Sequence, residues 1–121
     1  MKKEAINLND KFSRFSEKWS PKIIAKLNDY HIKLVRSEGD FTWHSHKDTD
    51  EMFLVIEGEL RIDFSDGNIN LHEGEMYVIP KGVEHKPYAE KECKILLLEP
   101  AGTINTGDTG GSQTAEDNVW I

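Results

Sequence analysis

Alternation of apolar and polar positions is clearest in the middle of the chain. Leu60, Ile62 and Phe64 alternate with Arg61 and Asp63, and Ile69 and Leu71 resume the pattern after Asp66-Gly67-Asn68. Period-two alternation marks a strand with one covered face, and Asp-Gly marks a hairpin between two such strands. The same reading gives strands over 22–27 and 30–36 around a turn at Asn28-Asp29, over Met76–Ile79 and over Lys94–Leu98. The apolar run Met52–Ile56 is expected to be covered on both faces. Turns are expected at Glu38-Gly39-Asp40, at Gly58 as a tight hairpin, and at Glu73-Gly74. Near the start, Leu8, Phe12, Phe15 and Trp19 stand on one stripe of an amphipathic helix that Asn9 or Asp10 would cap and Ser20-Pro21 would end. About eight short strands after one helix indicate an all-β barrel or sandwich.

The chain thus divides into an N-terminal helical segment, 1–21, a β-barrel, 22–100, and a tail, 101–121. The tail mixes Gly102, Gly107, Gly110 and Gly111 with threonine, asparagine and aspartate, the composition of irregular chain. Its last residues, Val119-Trp120-Ile121, are too apolar for free solvation, so the tail is expected to lie along the domain or a partner subunit.

Chemistry concentrates in two stretches. The first runs from Gly39 through Trp43-His44-Ser45-His46 to Glu51 and Gly58; the second runs from Gly74 through Pro80-Lys81-Gly82 to His85. Residues two apart on a strand share a face, so His44 and His46 point the same way. A loop over Lys47–Asp50 would bring Glu51 back beside them on the next strand, and His85 would arrive from a later one. Three imidazoles and a carboxylate suit one divalent transition metal: iron, manganese, nickel, copper or zinc. The absence of a thiolate argues against a closed structural zinc site. An unpaired buried carboxylate is costly, which favours a cation beside Glu51. His31 and His72 lie outside both stretches and are expected to have surface or hydrogen-bonding roles. Cys93 is expected to act as a small buried hydrophobe.

These stretches resemble the two motifs of the cupin superfamily. The first motif is carried by Gly39, His44, His46, Glu51 and Gly58, and the second by Gly74, Pro80, Gly82 and His85. Two positions depart from it. Four residues rather than the usual five separate Gly39 from His44, and Ala89 stands where the family commonly has asparagine. The resemblance implies a jelly-roll barrel, the RmlC-like double-stranded β-helix, with His44, His46, Glu51 and His85 as metal ligands. It also implies a homodimer, for which the helix aromatics and 22–27 are the candidate surface. Phe53, Val55, Met76 and Val78 would line an apolar pocket for a small organic ligand with a chelating group.

Composition narrows the partners. With 15 Lys and Arg against 22 Asp and Glu, the net charge is −7, which disfavours nucleic acid and anionic membrane. No apolar run of signal-peptide or membrane-span length occurs, and the lone Cys93 excludes an intrachain disulfide. A cytoplasmic protein fits. The expected function is a metal-dependent enzyme of oxygenase or isomerase/lyase type acting on a small organic molecule. The alternative is a non-catalytic binding or sensor module of the same fold.

Overall fold

The computed structural model describes residues 3–121. One short helix, α1 (Leu8–Phe12), precedes seven strands: β1 (Lys22–Leu27), β2 (Tyr30–Asp40), β3 (Glu51–Glu57), β4 (Leu60–Phe64), β5 (Gly67–Leu71), β6 (Met76–Ile79) and β7 (His85–Pro100). They pair antiparallel in the order β1-β2-β7-β3-β6, with the β4–β5 hairpin attached through β7. This is the antiparallel cupin fold.

β7 holds the two parts together. Its first residues, His85 to Tyr88, pair with β4, while Lys94 to Leu98 pair with β3; β2 runs beside both ends. The expected strand over Lys94–Leu98 is therefore only the end of a 16-residue one. Its middle carries the exposed Glu90-Lys91-Glu92, where the register against β2 shifts between the Ser37–Cys93 and Gly39–Ala89 pairs. Pro87 sits in β7 without a donor to offer; its carbonyl accepts from the Phe41 amide. Gly58 corrects another expectation. β3 pairs with β6 and β7, whereas β4 pairs with β5 and β7. Gly58 therefore turns a corner between the two sheet halves rather than closing a hairpin. Its φ is +95°, and a Cβ there would lie 3.0 Å from the Glu92 carbonyl oxygen.

The helix is shorter than its apolar stripe suggested. Asn7, not Asn9 or Asp10, caps it, accepting from the Asp10 amide. It stops because Arg36 takes the carbonyls a longer helix would need. The guanidinium donates to Phe12 O at 2.7 Å and to Phe15 O at 2.9 Å, while the Trp19 amide donates to Arg36 O at 2.8 Å. Trp19 itself adopts φ +57°.

Two apolar layers result. The inner one gathers Val35, Phe53, Val55, Leu60, Ile62, Leu71, Ile79, Ala89, Ile95 and Leu97. Ala89, where an asparagine was the family norm, is buried there, in a place that would offer an amide few partners. The outer layer packs Phe12 and Phe15 on Ile24 and Leu34. Phe12 and Phe15 are thus covered within the chain. β1 is likewise occupied, since the Ile23 amide donates to Val119 O and the Ile121 amide to Ile23 O.

The inner face of Met52–Ile56 is buried; Met52, Leu54 and Ile56 on the outer face are partly buried, Ile56 against the Phe12 layer. Met76 and Val78, expected to point inward, are 49% and 45% exposed. β6 is an edge strand whose inward side chain is Ile79. Among the described residues, no helix is long and apolar enough to cross a membrane.

Candidate metal centre

The expected quartet converges. His44, His46, Glu51 and His85 are all buried, and each offers one ligand atom within 4.8 Å of the others. Glu51 opens β3 and His85 opens β7. His44 and His46 lie on chain that belongs to none of the seven strands. His44 is held by a two-bond bridge to His85, its amide donating to His85 O at 3.0 Å and accepting in return from the His85 amide at 2.9 Å through its carbonyl. His44 and His46 share a side as the spacing required. Phe41, although an odd number of residues from His44, does not lie on the opposite side. It is buried, and its ring meets the His44 imidazole edge-on at 5.2 Å. Trp43 points outward and is exposed.

The donors are oriented as a cation requires. His44 Nδ1 lies 2.9 Å from Thr42 O, and His85 Nδ1 lies 2.9 Å from Val83 O. A carbonyl can only accept, so each Nδ1 carries the proton and each Nε2 presents a lone pair inward. His46 Nε2 and His85 Nε2 stand 3.5 Å from Glu51 Oε1. All three of these atoms are buried without a hydrogen-bond partner. Buried polar atoms left unsatisfied are rare and expensive. Three converging on one point fit a cation between them.

The electrostatics agree. Burial, helped by the neighbouring His85, lowers the His44 pKa to about 4, which keeps the ring neutral and able to ligate. Burial pushes Glu51 up, but the adjoining His46 and His85 imidazoles and Glu99 outweigh it and hold the carboxyl well below its usual range. Glu99 goes the opposite way: burial and the Glu51 charge raise it well above the ordinary value, against the pull of Lys33. Glu99 thus keeps the proton and Glu51 the charge. Lys33 Nζ lies 3.0 Å from Glu99 Oε1, both groups nearly inaccessible, and also donates to Thr103 O at 3.2 Å.

A cavity of about 30 Å³ adjoins the quartet, walled by Trp19, Val35, Phe41, Phe53, Ile95 and Leu97, with His44, Glu51 and Asn105 at its polar edge. It has room for a couple of water molecules. Of the expected walls, Phe53 lines it, while Val55, Met76 and Val78 do not.

Sequence reasoning missed Trp19, Asn105, Lys33 and Glu99. For the last, a signal existed: Glu99 stands in phase with the inward Cys93, Ile95 and Leu97. His72 is exposed beside Glu75, and His31 is buried edge-on to Trp120. Cys93 is fully buried and its thiol is pushed up to about 11 by desolvation, a small hydrophobe as expected.

The profile of the cupin domain matches residues 31–99, more than half of the chain. The chain belongs to the cupin family. Over 83 residues this cupin is 41% identical to the uncharacterized protein YdbB of Bacillus subtilis, covering 68% of this chain and 67% of that one. It is 32% identical over 78 residues to 3-hydroxyanthranilate 3,4-dioxygenase 2 of Aspergillus fumigatus, covering 60% of this chain and 40% of the dioxygenase. Its fold superposes on the crystal structure of a cupin-2 domain containing protein from Shewanella frigidimarina with a TM-score of 0.78 and 64% identity, covering 78% of this chain and 93% of that one.

Proposed function

We propose that His44, His46, Glu51 and His85 ligate one divalent transition metal, and that this cupin is a metal-dependent enzyme acting on a small, largely apolar molecule with a chelating group. The observation that carries this reading is the set of three buried, unpartnered donor atoms, His46 Nε2, His85 Nε2 and Glu51 Oε1, beside an apolar cavity. A structural site would be closed on all sides, whereas here the His44 edge of the quartet faces the cavity. Similarity to a dioxygenase supports the oxygenase branch over the isomerase or lyase branch.

When bound, such a cation would supply Lewis acidity and, for iron, manganese, nickel or copper, a redox couple. The remaining work falls to side chains of this chain. Phe41, Phe53, Ile95 and Leu97 exclude water from one side of the substrate. Thr42 O and Val83 O fix the tautomers of His44 and His85. Glu99, its carboxyl raised by burial and by Glu51, leaves the negative charge on Glu51 beside the histidines. Because the cavity is small, a substrate must displace one wall. Trp19, stacked on Phe41 at 4.9 Å, is a partly exposed member of that wall.

The test is anaerobic loading with ferrous iron, followed by oxygen uptake in the presence of small aromatic ortho-diols and ortho-aminophenols. Uptake that requires iron and disappears in Glu51→Gln is the expected result. Tight binding of such compounds with no turnover under any loaded metal would leave a binding module and overturn the enzyme.

A further inference from the structure

The segment that carries His44 and His46 belongs to none of the seven strands, yet its carbonyls are almost all used. On the core side, His44 O accepts from the His85 amide at 2.9 Å and His46 O from the Gly82 amide at 2.8 Å. On the other side the partners come from the tail. Trp43 O accepts from Thr109 Oγ1 at 3.0 Å, Ser45 O from the Asp108 amide at 3.2 Å, and Asp40 O from Gln113 Nε2 at 3.0 Å. Alternate carbonyls thus face the barrel and the tail, as in a strand held between two neighbours.

The tail approaches closely at one place. Gly107, at φ +55°, lies so near the segment that a Cβ would stand 2.0 Å from Ser45 O and 3.3 Å from His46 Nδ1. Only glycine fits both that backbone conformation and that approach. Asn105 extends the same contact to the cavity wall, donating from Nδ2 to Trp19 O at 2.9 Å and to Gln113 O at 3.0 Å. Thr106 is fully buried beneath, with its hydroxyl 2.6 Å from that of Thr114. None of these tail residues falls within 31–99, the part that matches the cupin profile.

We propose that Gly107, Asp108 and Thr109 are positioning residues for the metal centre: the tail supplies the missing neighbouring strand that holds His44 and His46 at ligating distance. This rests on the metal reading above, and its test separates the two. The groups that orient a ligand from behind affect metal affinity by about 10–100-fold.

The experiment measures zinc affinity of the full chain by competition with a chromophoric chelator, in the parent and three variants. Gly107→Ala forces the backbone of Ser45 to move and is expected to weaken zinc binding by about 10–100-fold. Thr109→Val removes one hydrogen bond without altering the backbone and is expected to weaken it by about two- to tenfold. Gly110→Ala is the control. Its φ is +68° and the space around its Cβ is open, so it carries similar backbone strain without touching the segment, and parent-like affinity is expected. A second readout uses the metal-free proteins: amide exchange of His44 and His46 accelerates in Gly107→Ala and Thr109→Val but not in Gly110→Ala. If Gly107→Ala does not fold, Thr109→Val alone decides. Zinc binding within twofold of the parent in Thr109→Val and any folded Gly107→Ala would overturn the positioning role, as would equal weakening by Gly110→Ala. A parent that binds no zinc would overturn the metal reading and this inference with it.

Discussion

Filling the quartet with a cation must raise the stability of the fold, and the size of that rise follows from the site. His46 Nε2, His85 Nε2 and Glu51 Oε1 are buried and unpartnered, and each such atom costs about 1–3 kcal/mol. A ligand that binds only the folded state stabilises it by about 4 kcal/mol at a thousand times its dissociation constant. For a domain of this size, about 1 kcal/mol corresponds to about 4 °C in Tm. Metal-free protein should therefore gain about 16 °C at a thousandfold zinc excess over Kd, and about 5 °C for each further tenfold increase. Calorimetry over a zinc series is the assay. Glu51→Gln keeps the shape and removes the charge that attracts the cation, so its gain should fall below about 4 °C. A parent that shifts by less than about 2 °C at any excess, or a Glu51→Gln variant that shifts as much as the parent, would refute the convergence of these donors on an ion.

Acid should destabilise the metal-free protein through His44. Its folded pKa of about 4 lies below the ordinary 6.5, so its contribution is complete above pH 6.5 and is lost between 6.5 and 4, by about 3 kcal/mol. Glu99, raised instead, gains in the same direction of pH and offsets part of this loss. Urea titrations should thus show a steeper acid loss in Glu99→Gln than in the parent, and parallel curves would count against the assignment of the proton to Glu99. At the corner between sheet halves, Gly58→Ala would place a Cβ 3.0 Å from Glu92 O and 3.2 Å from Cys93 Cα. It should cost about 2–3 kcal/mol in urea unfolding, against about 1 kcal/mol for Gly74→Ala, whose surroundings are open; equal costs would show that only the positive φ matters.

The strands and the four donors were legible because both rest on local spacing. His44 and His46 share a side for the same period-two reason that Leu60, Ile62 and Phe64 do, even though the histidines lie outside any ladder. What failed depended on partners distant in sequence. Phe12 and Phe15 sit at helical spacing, but Arg36, 24 and 21 residues away, takes their carbonyls and ends the helix. Met76 and Val78 alternate properly, yet the alternation has two phases, and nothing local says that the edge strand turns Ile79 inward. Gly58 announces a turn, but whether a turn joins paired strands depends on where β7 runs. Trp19 and Asn105 reach the cavity from opposite ends of the chain, a proximity that no spacing encodes.

The Lys33–Glu99–Glu51 arrangement explains why this site can exist before a cation enters it. A carboxylate buried alone would be protonated or would unfold the barrel. Here burial and the neighbouring Glu51 charge favour the protonated form of Glu99, and the Lys33 ammonium lies 3.0 Å from Glu99 Oε1, itself 3.7 Å from Asp117. Lys33 is therefore engaged by Glu99 and Asp117, away from the donor side of Glu51. That leaves Oε1 free, facing His46 and His85, instead of spent on an ammonium. It also separates this centre from small metal-nucleated domains, in which the unliganded chain has no fold to keep. The strands fix Glu51 and His85, and hydrogen bonds from the barrel and the tail hold the segment that carries His44 and His46. A metal bound there would add increments of stability to a barrel already formed, which is why a graded thermal response, rather than an all-or-none one, is the proper measure of the site.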